Sequence, residues 1–275
     1  MRESMLNRSR SSHLNSTIKC PILMYHGIAS SAGEFEVPYC CHPVLFSEHI
    51  NYLHSEGYDF ISLSDLYAYM NCEQQIPKMS VVITFDDGFR SVYENAFPVL
   101  KKYNIPATVF VVADLVGTTN KWEVDGFPIR SLMSWDQIRE MNDHGIEIGG
   151  HGCTHQPLAK IADSIAQKEI TRCKKVIEQN LDIEVRHFSY PHGNMSDSVR
   201  NMVHAAGYLT ACSIIPGFNF KSTDPYVLRR IEVRGPDSVR QLRRKMYYGT
   251  NDGSWSCPFR QIKKRIMAVF EGGNL

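Results

Sequence analysis

The chain has 275 residues, of which 43% are hydrophobic, and its formal net charge is +1. This length and apolar content suit one globular domain with a core that needs no disulfide bonds. The nearly balanced charge argues against nucleic acid as a partner, because such binding depends on a basic surface.

Apolar runs and helical spacing alternate along the chain, which predicts an α/β fold with parallel strands. Short segments, most of them apolar, predict strands over residues 21–27, 60–63, 80–85, 107–112, 146–150, 186–191, 210–215 and 228–233. Apolar residues three and four positions apart predict helices over residues 44–57, 91–103, 135–144, 162–180 and 197–206, with another beginning at residue 64.

Localisation and redox state are predicted from what the sequence lacks. Residues 1–19 are polar and basic, without the apolar core of a secretory signal, and no run reaches the ~18 apolar residues of a membrane-spanning helix. None of the eight cysteines forms a CxxC pair. We therefore expect a flexible segment over residues 1–19, free thiols and a cytoplasmic protein, and the sequence leaves the oligomeric state open.

Polar residues follow the predicted strands at four places. His26, the pair Asp86–Asp87, His151 and His192 each lie where an apolar run ends. In a parallel barrel the carboxyl ends of the strands form the edge at which catalytic groups collect. Four such coincidences favour an enzyme.

The pair Asp86–Asp87 has two readings. It follows a β-branched strand and precedes the predicted helix over 91–103, so it could simply cap that helix. Alternatively, because successive strand residues point to opposite sides, the two carboxylates could take different chemical roles. Gly88 would permit a close approach of the backbone in that arrangement.

A second pair, His151 and His155, has the i, i+4 spacing with which two histidines can reach one metal ion. Two unrelated polar loop residues are the alternative. With one of the aspartates, the histidines would form a His₂–carboxylate set that suits Zn, Fe, Co, Ni or Mn and leaves positions open for water and substrate. Cys153, between them, is predicted to pack in the core.

These motifs resemble those of the NodB-type polysaccharide deacetylases, carbohydrate esterase family 4. The resemblance is carried by Thr84-Phe85-Asp86-Asp87-Gly88, by the histidine pair and by Phe188-Ser189-Tyr190-Pro191-His192-Gly193, and it extends over residues 21–233. It implies a single domain with a deformed (β/α) barrel of about seven parallel strands. It also implies hydrolysis of N-acetyl groups on a sugar or polysaccharide.

The resemblance assigns a role to each matching residue. Asp86 matches the general base, while Asp87, His151 and His155 match the ligands of a divalent metal, for which zinc is the first expectation. At the third motif, the backbone N–H of His192 would help to hold the oxyanion. Pro191 and Gly193 would shape that turn.

Two departures from the family pattern are visible. Ser189 stands where many members carry an arginine that orients the base, and Arg230 is a candidate to replace its charge. No C-terminal Leu-x-x-x-His motif, the usual source of the catalytic acid, is present. The segment 22–27 resembles a subgroup, including poly-N-acetylglucosamine deacetylases, whose acid histidine lies near the N-terminus. His26 is therefore the predicted acid, and a merely capped histidine at a strand end is the alternative.

Substrate contacts are predicted for Tyr190, Pro191, Trp122 and Trp135, although core packing is a competing role for Trp135. We place the deacetylase domain at residues 20–236 and a basic helical extension at residues 237–275. From Leu228 onward there are eleven Lys/Arg against four Asp/Glu. The extension could cover the barrel, or its basic amphipathic pattern could give weak peripheral membrane contact.

The predicted function is metal-dependent removal of N-acetyl groups from a carbohydrate, with Asp86 as base and His26 as acid. Two alternatives stay open. One is a C–N hydrolase acting on a small non-sugar amide, and the other is a barrel that binds carbohydrate without cleaving it. The intact set Asp86, Asp87, His151 and His155 counts against the second alternative.

Overall fold

The computed structural model describes residues 18–31, 33–122, 127–257 and 260–261. Ten strands are found in this part of the chain: β1 Ile22–Tyr25, β2 Gly27–Ile28, β3 Cys40–Cys41, β4 Asp59–Phe60, β5 Ser80–Phe85, β6 Thr108–Val111, β7 Glu147–Gly150, β8 His187–Ser189, β9 Thr210–Cys212 and β10 Ile231–Glu232. The α-helices are α1 Pro43–Ser55, α2 Leu63–Met70, α3 Phe97–Lys102, α4 Trp135–Asp143, α5 Asp163–Leu181, α6 Asp197–Ala205 and α7 Val239–Tyr248.

Seven parallel strands form the central sheet in the order β10-β1-β5-β6-β7-β8-β9, and β4 pairs with the start of β5. The two ends of this order are joined by one segment of chain. Leu228 exchanges backbone hydrogen bonds with Ala211 and Ser213 at β9, and three residues later Ile231 pairs with Leu23 of β1. The sheet is therefore curled into a deformed barrel, and the predicted fold class is confirmed.

The helices pack on the sheet through narrow apolar faces. In α5 the buried positions Ala166, Ile170, Cys173 and Ile177 recur three or four residues apart, which places them on one side of the helix. Helices α2, α4 and α7 each begin with a capping box, formed by Ser62, Ser134 and Ser238 respectively. These local signals fix where the helices start, and the apolar faces fix how they lie on the sheet.

Several boundaries differ from the sequence prediction. The strand predicted over 60–63 is β4 at Asp59–Phe60, because the Ser62 capping box already starts α2 at Leu63. The helix predicted over 91–103 contains a π-helical turn, Val92–Ala96, before α3. The last strand, predicted over 228–233, is only Ile231–Glu232, because Leu228 bonds β9 instead.

The C-terminal region is described only in part. Helix α7 buries Leu242 and Met246 in the main core, while residues 258–259 and 262–275 of the predicted basic extension lie outside the described residues. The expected flexible segment 1–19 lies outside them up to residue 17. The domain boundary at 236/237 stays a prediction.

All eight cysteines are free thiols, as expected. Within the described residues, none of the helices combines the length and apolarity needed to cross a bilayer.

Candidate active site

The carboxyl ends of the strands open into a cavity of about 620 Å³. Because the strands are parallel, the residues that follow them meet at this edge of the barrel. The polar residues predicted for strand ends line it together with the second histidine of the predicted metal pair: His26, Asp86, Asp87, His151 and His192, with His155. Its volume lies within the usual range of small-molecule sites, about 300–1,000 Å³.

Asp87, His151 and His155 direct three donor atoms at one point. Asp87 Oδ1 lies 3.2 Å from His155 Nε2 and 3.4 Å from His151 Nε2, and the two Nε2 atoms are 3.2 Å apart. A tetrahedral metal with ligands at about 2.0–2.1 Å separates its donor atoms by about 3.3–3.4 Å. The three residues therefore fit a divalent cation in donor type and in spacing, with further positions left open.

The two histidine rings are oriented by different means. His151 donates from Nδ1 to the carbonyl of Ser189 at 2.8 Å, which leaves its Nε2 facing Asp87. His155 is packed between Trp122 and His192, with ring centroids 4.5 Å and 4.3 Å away. A hydrogen bond thus fixes one ring, and aromatic packing fixes the other.

Three site residues have backbone angles that are unusual for side chains with a Cβ. The φ angles of Asp87, His155 and His192 are 73°, 63° and 56°. Such left-handed conformations cost energy and persist only where surrounding structure enforces them. At Asp87 the bend turns the side chain away from the path of β5, so that it faces His151 and His155 and not the partners of Asp86.

Charge and burial set the protonation of the metal-ligand candidates. Burial would raise the pKa of Asp87, but hydrogen bonds from His151 and His155 outweigh it and hold that pKa well below its ordinary value. Burial lowers the pKa of His155 to about 4 against the attraction of Asp87. Asp87 is therefore ionised and His155 neutral near pH 7, the forms in which both bind cations.

Asp86 is held in a different network. Arg230 donates from Nη1 to Oδ1 and from Nη2 to Oδ2, both at 2.7 Å, and Ser189 donates to Oδ2 at 3.2 Å. Burial would raise the pKa of Asp86, but the Arg230 guanidinium outweighs it and lowers that pKa. The two aspartates thus have different partners: Asp86 is ion-paired with the guanidinium of Arg230, and Asp87 faces the histidines.

Arg230 itself is fully buried and anchored on all sides. Its Nε donates to the carbonyl of Ser213 at 2.9 Å, its Nη2 donates to Ser189 Oγ at 2.9 Å, and its guanidinium lies 5.8 Å from the Phe110 ring centroid. The sequence left open which cation replaces the family arginine at Ser189. The structure brings Arg230 to Asp86 from the opposite end of the chain.

His26 follows β1 and is partly buried in the cavity wall. Its ring meets Tyr39 edge to face at 5.4 Å. A positive charge on this ring would favour the ionised forms of Asp86 and Asp87 and so lower the pKa of both.

Two of the four predicted substrate-binding residues line the cavity, and two do not. Trp122 and Tyr190 line the cavity, although the Tyr190 hydroxyl donates to the carbonyl of Tyr226. Trp135 begins α4 and packs against the core without lining the cavity. Pro191 is buried in the turn before His192 and also does not line the cavity. The structure therefore does not bring Trp135 or Pro191 to the site.

One buried carboxylate that supports the site was missed by the sequence analysis. Glu169 of α5 accepts hydrogen bonds from the backbone N–H of Cys153 and Thr154, at 2.8 and 2.9 Å, and from the Thr154 hydroxyl at 2.7 Å. It thereby holds the loop that carries His151 and His155. The signal was present in the sequence, because a glutamate stands on the apolar stripe between Ala166 and Ile170.

Sequence comparison assigns the chain to a family. A family model described as polysaccharide deacetylase matches residues 73–211. YxkH of Bacillus subtilis (strain 168), assigned by its name to the polysaccharide deacetylases, is 29% identical over 215 residues, which cover 78% of this chain and 71% of YxkH. The poly-beta-1,6-N-acetyl-D-glucosamine N-deacetylase of Staphylococcus aureus (strain MSSA476) is 29% identical over 197 residues, covering 68% of this chain and 65% of the relative.

Solved structures share the fold. IcaB from Ammonifex degensii superposes with a TM-score of 0.70 at 27% identity, covering 82% of this chain and 95% of IcaB. The Streptococcus pyogenes deacetylase PplD, solved with acetate, gives a TM-score of 0.73 at 24% identity over 84% of this chain and 99% of PplD. The family match over residues 73–211 shows that the chain belongs to the polysaccharide deacetylases, hydrolases acting on carbon–nitrogen bonds other than peptide bonds, and the shared fold agrees with it.

Proposed function

We propose that this protein is a metal-dependent N-deacetylase of an N-acetylated glycan. The observation that carries the proposal is the division of the aspartate pair. Asp87 converges with His151 and His155 on one point, while Asp86 is ion-paired with Arg230 beside it. Asp87 is thus available to bind a cation, and Asp86 is available to accept a proton.

Asp87, His151 and His155 would hold a divalent cation, with zinc the first expectation from the His₂–carboxylate set. Such a cation supplies Lewis acidity, which polarises a carbonyl and makes a nearby water easier to deprotonate. The rest of the chemistry comes from side chains and backbone around the cavity.

Asp86 would act as the general base through Oδ1. Both lone pairs of Oδ2 are engaged, by Arg230 and by Ser189, whereas Oδ1 accepts one hydrogen bond, from Arg230. The remaining lone pair of Oδ1 is available to a water molecule. The lowered pKa keeps Asp86 ionised, so it can take the proton as that water attacks the acetamide carbon.

The later steps would use His26 and the turn at His192. The backbone N–H of His192 would donate to the oxyanion that develops on the acetamide oxygen. His26 would protonate the sugar nitrogen as the C–N bond breaks. Acetate and a free amine leave, and the proton taken by Asp86 balances the one that His26 gives.

The substrate class is inferred from the relatives. The staphylococcal relative is named for deacetylation of poly-beta-1,6-N-acetyl-D-glucosamine. We extend to this chain only the chemistry common to such substrates, an acetamido group on a pyranose. The cavity of about 620 Å³ accommodates a group of this size together with an adjoining sugar.

The test is acetate release by the purified, zinc-loaded protein from β-1,6- and β-1,4-linked N-acetylglucosamine oligomers. We expect turnover by the wild type and a loss of about 10³-fold or more in Asp86→Asn. Asp86→Asn should keep its zinc, as measured by metal analysis. Asp143→Asn, at an exposed aspartate ending α4, is the matched control and should retain wild-type turnover.

Three outcomes would contradict the proposal or one of its assigned roles. Absence of acetate release from every N-acetyl sugar, together with hydrolysis of a small acetamide, would favour the alternative C–N hydrolase. Full activity in Asp86→Asn would remove Asp86 as the base. His26→Ala should lower kcat most strongly for substrates with a basic leaving amine, and wild-type kcat would remove His26 as the acid.

A further inference from the structure

Three aromatic side chains, two of them exposed, lie together at one side of the cavity. Phe35 is 62% exposed and Tyr39 43% exposed, and Phe127 is partly buried between them. We call Phe35, Tyr39 and Phe127 the aromatic rim. Exposed phenylalanine gives up about 1.5–3 kcal/mol that burial would provide, and clustered exposed aromatics commonly mark a binding surface. No function assigned above uses these residues.

The aromatic rim is continuous with the catalytic centre. The ring centroids of Phe35 and Phe127 are 5.9 Å apart, and those of Phe127 and Tyr39 are 6.2 Å apart. Tyr39 then meets His26, the proposed acid, at 5.4 Å. Tyr39, Phe127 and His26 all line the cavity. The rim therefore leads from solvent to the point at which the C–N bond would break.

An ion pair holds the two segments of the rim together. Arg130 donates from Nε and Nη2 to the two carboxylate oxygens of Glu36, at 2.6 and 2.7 Å, and from Nη2 to the carbonyl of Ser30. Glu36 lies beside Phe35, and Arg130 lies three residues beyond Phe127. The bidentate pair is partly buried and lines the cavity, so the rim is fixed before any ligand arrives.

We propose that the aromatic rim binds a second sugar ring of the glycan, next to the N-acetylated sugar in the catalytic centre. This inference rests on the proposed function and narrows it to oligomeric or polymeric substrates. A pyranose ring has an apolar C–H face and a hydroxyl-bearing edge. The ring faces of Phe35 and Phe127 suit the first, and the Glu36–Arg130 pair beside them suits the second.

The kinetic test compares a pentamer with a dimer of β-1,6-linked N-acetylglucosamine. In the wild type, kcat/KM should be higher for the pentamer. In the double variant Phe35→Ala/Phe127→Ala, the ratio of pentamer to dimer kcat/KM should fall about tenfold, mainly through the pentamer KM. Phe35→Trp should keep the ratio, whereas Phe35→Leu should lower it, because leucine is apolar but cannot stack.

The matched control is Tyr247→Ala, which removes a 71% exposed tyrosine from α7 and should leave the ratio unchanged. Pentamer binding to Asp86→Asn, measured by calorimetry, tests the rim separately from turnover. Binding that weakens about tenfold when Phe35 and Phe127 are replaced supports the rim. If the wild type releases no acetate, the proposed function fails, and this binding experiment still decides on the rim.

Two results would overturn the inference. The first is an unchanged pentamer-to-dimer ratio and unchanged pentamer affinity in Phe35→Ala/Phe127→Ala. The second is an unchanged ratio combined with loss of binding to phosphatidylglycerol vesicles in the same variant, and retained vesicle binding in Phe35→Leu. That pattern would make the rim a membrane contact and not a sugar subsite.

Discussion

At the scale of single residues, the Asp86–Arg230 pair is better explained by orientation than by stability. A buried ion pair returns little net folding energy, because desolvating two charges offsets their attraction. What this pair provides is a fixed carboxylate, since both oxygens of Asp86 receive a donor from one rigid guanidinium. Arg230 acts through Asp86 and is a positioning residue.

We predict that Arg230→Lys lowers kcat about 100-fold with little change in KM. Lysine keeps the positive charge but cannot donate to both oxygens at once, so Asp86 loses its fixed geometry while substrate contacts remain. Steady-state kinetics with an N-acetylglucosamine oligomer measure the split. Arg229→Lys, at the exposed neighbouring arginine, is the control. An equal rise in KM would indicate a general disturbance of the site and not loss of orientation.

Glu169 is the second residue whose role is positional. Its carboxylate accepts hydrogen bonds from two backbone N–H groups of the loop between His151 and His155. In this segment Gly152 and His155 both have positive φ. Without this carboxylate those donors would be buried without an acceptor, and the loop would relax.

We therefore predict that Glu169→Ala weakens zinc affinity about 10- to 100-fold, the range typical for residues that support metal ligands. Competition with a chromophoric chelator measures the affinity without any need for turnover. Glu178→Ala is the matched control on the same helix, because its carboxylate bonds Lys174 and Val185 instead. Equal zinc affinity in Glu169→Ala and wild type would assign Glu169 to helix packing alone.

At the scale of elements, Glu147 joins strand β7 to helix α2. Its carboxylate accepts the backbone N–H groups of Leu63 and Ser64 at the start of α2, at 3.1 and 3.2 Å, and the Thr108 hydroxyl at 2.9 Å. Burial would raise the pKa of Glu147, but the contact with His187 and these donors lower it to about 2. A negative charge at a helix N-terminus is favourable for the same electrostatic reason.

We predict that Glu147→Gln destabilises the fold by about 2–3 kcal/mol at pH 7. The folded pKa lies below the unfolded one, so the stabilisation is complete above pH ~5 and is lost as the pH falls towards 2. The difference in unfolding free energy between variant and wild type, measured in urea, should therefore shrink from pH 5 to pH 3. Glu184→Gln, whose side chain is 60% exposed, should show no such trend. A constant difference across this range would contradict the assignment.

The elements were predictable to the extent that their signals are local. The β-branched run of β5 and the apolar spacing of α5 identify those elements directly. The ends of the strands were predicted less accurately than the strands themselves, because hydrogen bonding with neighbouring strands decides where a strand ends. Leu228 lies within the predicted last strand but bonds β9, and the Ser62 capping box starts α2 at Leu63, shortly after β4 ends. The pairing of Leu228 follows from no local pattern, whereas the capping box at Ser62 is a local signal that the sequence analysis did not use.

At the scale of the whole molecule, the barrel brings together groups that the chain separates widely. Asp86 and Arg230 are 144 positions apart, yet they form the buried pair of the site. The motifs Asp86–Asp87 and His151/His155 could be recognised because each is compact in sequence. The partner of Asp86 could only be named as a candidate, since a lone arginine carries no motif and its place depends on closure of the sheet between β9 and β10.

The order of the strands β5, β6 and β7 predicts how a bound metal ion would affect the stability of the fold. Asp87 follows β5, whereas His151 and His155 follow β7, with β6 between them. A cation bound by all three would crosslink this edge of the barrel and stabilise only the folded state. At a concentration 100 times its dissociation constant, zinc should add about 2.7 kcal/mol, which corresponds to about 5 °C or more in Tm. Thermal unfolding with and without a chelator measures this difference. In Asp87→Asn the chelator should have almost no effect, because one ligand is already lost. An equal chelator effect in the variant and the wild type would mean that zinc binds elsewhere on the protein.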